Sequence, residues 1–225
     1  MEKEARILKA NIGIESRAEG KRYLEYDAIV FNTRSRNVGG FYEIISPTAV
    51  RGADFSEWFA KKNHNTNFML GSSEAGTANY VITDTAVRAS VLVGDSTIWA
   101  DTMKEVERRE LNHASFEFTV KEGGDSWERI TEDGKVKLVR TVTAIEKIYD
   151  MSPVNFPAYK DTMGITVAKR SLDAFLASEK RDGIDGNTET GIEDTAENST
   201  TVIVKNSAGD EWKIEIELLE LESVD

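Results

Sequence analysis

Apolar residues recur at every second position over much of the first 165 residues, the period of an extended strand with one face buried. Residues 5–15 and 22–31, rich in Ile, Tyr, Val and Leu, predict strands. Turn-forming residues 32–40 follow, and then a short apolar stretch, 41–45. Two segments switch to a helical period. Residues 54–62 carry Phe55, Trp58 and Phe59 at helical spacing. Residues 97–108 place Trp99, Met103 and Val106 on one stripe, with Asp95 or Ser96 set to cap it. Residues 76–82 and 86–93 predict a hairpin turning at Thr83-Asp84. In residues 112–120, Ala114, Phe116, Phe118 and Val120 take one face and His113, Ser115, Glu117 and Thr119 the other. Residues 127–131 and 135–149 flank Asp133-Gly134, a second hairpin signal. Many short strands with a few helices predict a mainly β, α+β fold whose sheet curves or closes into a barrel.

Beyond residue 165 the pattern changes. Leu172, Phe175 and Leu176 mark a short helix within 166–181. Residues 182–199 are polar and acidic and read as a linker. In 200–225, Trp212, Ile214, Ile216 and Leu218 alternate with charged residues and predict an amphipathic β-hairpin. Two strands are marginal alone, so this tail is expected to dock on the body or on a partner. The expected organisation is therefore a β domain over 1–165, a helix, a linker and a hairpin tail.

Charge sharpens that division. The net charge is −12, but residues 182–225 hold 13 acids against Lys205 and Lys213, leaving the body at −1. No basic surface suited to nucleic acid is present. No apolar run approaches the roughly 18–20 residues of a membrane span, and the first residues lack a signal-peptide core. A reducing, cytoplasmic setting is expected.

Candidate chemistry is narrow. The chain has no cysteine and two histidines, His64 and His113. Thiolate nucleophiles, Cys-ligated metals and a three-His metal site are thereby excluded, and no cofactor is expected. A hydrolase of this composition would use a serine activated by an imidazole. Ser115 lies mid-strand rather than on a Gly-x-Ser-x-Gly elbow, which disfavours an α/β-hydrolase. His113 shares its face, but neighbours two apart on a strand are roughly 6.5–7 Å apart. That exceeds the ~2.6–3.2 Å of an imidazole–hydroxyl bond. His64 comes from a separate segment. Asp150, before Met-Ser-Pro, is by residue type either a turn residue or a carboxylate able to orient an imidazole.

Five pieces of the chain, in order, resemble the tailed-phage prohead maturation proteases, a family related to the herpesvirus assemblins. They are Phe41-Tyr42-Glu43-Ile44-Ile45 with Ala49; Asn63-His64 with Leu70-Gly71 and Gly76-Thr77; Ala114-Ser115-Phe116-Glu117-Phe118; Trp127 and Arg140; and Asp150-Met151-Ser152-Pro153-Val154 with Pro157-Ala158-Tyr159 and Thr162. The resemblance implies a herpesvirus-protease-like β-barrel flanked by helices. It implies Ser115 as nucleophile, His64 as general base and Asp150 as the residue orienting His64, with Arg140 assisting the oxyanion. Asp150 stands where many relatives carry Glu, Asn65 where many carry Asp, and Thr48 where Gly is usual.

The expected function is a serine endopeptidase of virion assembly, acting in the host cytoplasm inside the immature capsid. Its expected partners are the major capsid protein with its scaffold segment, and the chain itself, with Lys180-Arg181 as a self-processing site. A homodimer is suggested by the herpesvirus analogy, and neither nucleic acid nor membrane is expected to bind. The alternative is a non-catalytic assembly scaffold that retains the protease barrel and binds capsid subunits through its acidic tail.

Overall fold

The computed structural model describes residues 3–17, 20–38, 40–155, 172–177, 190–194, 199–205 and 211–217. Strands dominate. In chain order they are β1 (Glu4–Lys9), β2 (Ile12–Ser16), β3 (Arg22–Val30), β4 (Tyr42–Ile45), β5 (Phe59–Lys61), β6 (Met69–Ser72), β7 (Ala78–Ile82) and β8 (Ala86–Leu92). Helix α1 (Thr97–Glu107) intervenes before β9 (Leu111–Val120), β10 (Asp125–Glu132), β11 (Lys135–Val142) and β12 (Ile145–Asn155). A short helix, α2, covers 172–177. The tail holds β13 (Thr190–Asp194), β14 (Ser199–Lys205) and β15 (Glu211–Glu217).

The mainly β expectation holds, but no barrel closes among the described residues. The strands form separate open sheets ordered β1-β9-β12-β5-β6, β2-β3-β8-β7, β10-β11-β4 and β13-β14-β15. The first two pack across a shared core: Leu24, Tyr26, Ile29, Val87, Ala89 and Val91 meet Phe116, Phe118, Ile148 and Met151. Curvature comes instead from chain segments that turn a corner from one sheet into the next. Residues 5–15 form two strands, not one, because the chain leaves β9 at Ala10, whose N–H donates to Asn112 O, and joins β3. Residues 135–149 likewise divide at Thr143-Ala144. There Gly124 lets the backbones close in, since a Cβ on it would meet Ala144 O at 2.4 Å.

The helix expected over 54–62 is replaced by a turn and strand. The Asp54 carboxylate accepts from Ser56 N at 2.8 Å, closing a local turn instead of a helix. Trp58, Phe59 and Ala60 then alternate buried, exposed, buried, as β5 slots between β12 and β6. Pairing on both sides outweighed the helical spacing. Helix α1 forms as expected, with Trp99, Met103 and Val106 buried and Ser96 accepting from Trp99 N. The β10–β11 hairpin turns through Asp133 and Gly134, with φ of 53° and 73°, the left-handed pair a two-residue turn requires.

Leu172 and Phe175 of α2 pack on Phe41 and Leu138, and Phe175 stacks on Trp127 with ring centroids 6.0 Å apart. The tail is a three-stranded antiparallel sheet rather than a two-stranded hairpin, because β13, in the stretch read as linker, pairs with β14. Backbone of β15 approaches β11. Among the described residues no helix is long and apolar enough to cross a membrane. Lys180-Arg181, Pro157-Ala158-Tyr159 and Thr162 lie outside the described residues.

Candidate active site

One pleat face of the first sheet gathers the polar residues. Antiparallel register sets Ser115 opposite Ile7 on β1 and opposite Ser152 on β12, and sets Glu117 opposite Asp150. Directly paired residues share a face, so Ser115, Glu117, Asp150 and Ser152 form a square on adjacent strands. Asp150 joins it through a bulge. The ladder runs Ile148 to Phe118 and then Asp150 to Glu117, so Tyr149 is an extra residue that resets the phase of β12. From the other sheet, Tyr26 Oη donates to Met151 O at 2.8 Å and braces this strand between Asp150 and Ser152.

His64 enters over the square from the single 3₁₀ turn Lys62–His64 that follows β5. The turn is held on three sides. Asn63 Nδ2 donates to Asn155 Oδ1, and Asn155 N donates to Asn63 Oδ1, each at 2.8 Å. Lys62 Nζ meets Glu105 of α1 at 2.5 Å. Lys62 N donates to Phe68 O at 2.9 Å, closing the loop behind. Asn63 and His64 both have left-handed backbone, φ 55° and 56°, which swings the imidazole back over β9 and β12. Asn65 Oδ1 accepts from Asn67 N at 2.9 Å, so the Asn at that position serves the loop.

The result is a chain of contacts. His64 Nε2 lies 2.6 Å from Ser115 Oγ, and His64 Nδ1 lies 3.0 Å from Asp150 Oδ1. Ser115 and Asp150 are 0 % exposed, while the His64 side chain is 24 % exposed. Glu117 Oε1 stands 3.9 Å from Nδ1, and Lys61 Nζ meets Asp150 Oδ2 at 2.6 Å. Burial pushes the imidazole toward its neutral form. The close contact with Asp150 and its charge, with the charge of Glu117, outweigh burial and hold the pKa above its ordinary value, while Lys61 opposes them. A hydroxyl, an imidazole and a buried carboxylate in this order can activate the oxygen for attack on a carbonyl.

Of the four residues singled out by sequence, the structure brings Ser115, His64 and Asp150 together and leaves Arg140 elsewhere. The expectation that Arg140 assists the oxyanion is corrected. Its Nε donates to Asp125 at 2.6 Å, Nη1 to Glu4 and Glu43 at 2.6 and 2.9 Å, and Nη2 to Glu4 at 3.0 Å. Four of the five N–H groups of the guanidinium are thus committed to carboxylates. Glu4 is paired with Phe118, so this cluster occupies the pleat face opposite Ser115. His113 is buried between its register partners Lys9 and Val154. Its pKa is lowered by burial, then by Arg36 and Lys9. Sequence reasoning passed over Lys61 and Ser152; the signal available was only that Lys61 lies three residues before His64, and Ser152 two after Asp150.

The family model for the caudovirus prohead serine protease matches residues 11–178, more than half of the chain. No curated protein and no solved structure matches the chain.

Proposed function

The chain belongs to the caudovirus prohead serine protease family, and from that premise we propose that it is a Ser-His-Asp endopeptidase. It would cut the capsid protein and its scaffold segment, and itself, inside the immature capsid. The observation that supports this most is the continuous contact from Ser115 Oγ through both ring nitrogens of His64 to the buried Asp150. In the cycle, Ser115 Oγ attacks the scissile carbonyl carbon while His64 Nε2 takes its proton. The imidazolium, held by Asp150, then protonates the departing amine as the C–N bond breaks. Water, deprotonated by His64, releases the acyl group and restores Ser115.

The contact also weighs against a non-catalytic scaffold, which has no use for a nucleophile, base and orienting carboxylate set in register. A fluorophosphonate probe decides between the two. Labelling of Ser115 that disappears in His64→Ala is expected; wild-type protein that stays unlabelled under assembly conditions would overturn the enzyme reading.

Self-processing at Lys180-Arg181 is part of the proposal. Intact-mass measurement is expected to show a shorter species in the active protein and not in Ser115→Ala, and identical termini in both would sink it. The acidic tail, −11 over residues 182–225, suits recruitment by basic surfaces of capsid subunits. A chain lacking 182–225 should enter proheads less; equal incorporation would remove that role. Dimer-linked activity rests on the herpesvirus analogy alone, and sedimentation across the active concentration range tests it.

A further inference from the structure

The buried Asp150 carboxylate is engaged at both oxygens, Oδ1 facing His64 Nδ1 at 3.0 Å and Oδ2 meeting Lys61 Nζ at 2.6 Å. We propose that Lys61 is a positioning residue of the proteolytic site: its ammonium fixes the Asp150 carboxylate so that the other oxygen meets His64, and its charge sets the pH at which His64 becomes a base. The inference rests on the catalytic reading above and adds to it a residue outside the Ser-His-Asp set.

A carboxylate can rotate about its last bond, and one facing a single imidazole would be free to turn its oxygens away. Lys61 removes that freedom. Its own placement is fixed by the backbone: Lys61 N donates to Ser152 Oγ at 2.9 Å, and β5 pairs in parallel with β12 through Phe59 and Asp150. The Lys61 side chain is 12 % exposed, so its charge is largely withdrawn from water and acts at short range. Removing Lys61 would leave a buried carboxylate with the His64 imidazole as its one remaining ion-pair partner among the described residues.

Among the described residues, the charged groups facing His64 are Glu117 from β9, Asp150 from β12 and Lys61 from β5, with the Ser115 hydroxyl at Nε2. The adjacent Lys62 is turned to Glu105 on α1. Of these, Lys61 alone opposes protonation of the ring. Its loss therefore raises the imidazole pKa twice over, by removing a repulsion and by leaving the whole Asp150 charge to His64.

The test compares wild type with Lys61→Met, which keeps the aliphatic stem, and with Lys61→Gln, which keeps a donor without the charge. Lys61→Arg is the conservative control. The chain has two histidines, so imidazole NMR titration follows His64 with His113 as an internal reference. The expected results in Lys61→Met and Lys61→Gln are an upward move of the His64 midpoint with His113 unmoved, and an acid limb of the fluorophosphonate rate displaced the same way. The labelling rate near neutral pH should fall about tenfold or more. Lys61→Arg should restore the midpoint. An unmoved His64 midpoint in folded Lys61→Gln overturns the inference even if Ser115 labels normally. An unlabelled wild type overturns the catalytic reading, while the titration still decides whether Lys61 sets the His64 charge.

Discussion

At the scale of single residues, a histidine whose protonated form is favoured is a base withheld until the pH rises. His64 is raised because Asp150 and Glu117 outweigh its burial. Fluorophosphonate labelling of Ser115 is thus expected to increase with pH through a midpoint above the ordinary histidine value of about 6.5. The same shift makes stability pH-dependent. A folded pKa above the unfolded one contributes stability that is complete below about 6.5 and is lost as pH rises through the folded value. Thermal denaturation should show a gain on moving from alkaline to mildly acidic pH, and His64→Ala should lose that component. Asp150→Asn tests the other end of the contact. It is expected to lower kcat by roughly 10³–10⁴, as loss of the orienting carboxylate does in serine proteases, in protein that remains folded by circular dichroism.

At the scale of elements, what places the site is a turn and a bulge rather than any long strand. Asn63 has left-handed backbone and two hydrogen bonds to Asn155. Asn63→Ala is expected to cost about 1–2 kcal/mol in urea unfolding and to reduce labelling; Asn63→Gly should recover only the backbone share of the stability. Much of this level was legible in the chain. The alternation of residues 112–120 put Ser115 and Glu117 on one face, and the ordered resemblance nominated His64 and Asp150. The rest was not legible for physical reasons. Phe55, Trp58 and Phe59 satisfy a helical spacing as well as a strand held on both edges, and only the partners β12 and β6 decide between them. The phase of β12 depends on the bulge at Tyr149, which the alternation of residues 135–149 does not announce. Arg140 looked available because a sequence does not show that Glu4, Glu43 and Asp125 converge on it from other strands.

At the scale of the whole molecule, that convergence joins separate sheets. Arg140 and Asp125 belong to β11 and β10, Glu43 to β4, and Glu4 and Arg6 to β1; Arg6 bonds both Glu43 and Glu4. All but Asp125 are buried. Removing one partner leaves uncompensated buried charge, so Arg140→Met is expected to destabilise by about 3–5 kcal/mol in denaturant unfolding. The Ser115 pleat face should keep its reactivity toward the probe wherever the variant stays folded. Strand β9 thus carries the Ser115 cluster on one side and register partners of the ion network on the other. Their separation depends on parity along the strand. A single-residue insertion or deletion between Leu111 and Val120 would exchange the two sides, sending a hydroxyl toward the core and a phenyl ring under His64. Length variation within a lineage should therefore collect outside β9, and a scanning indel library across residues 105–130 would show a gap in active clones coinciding with β9.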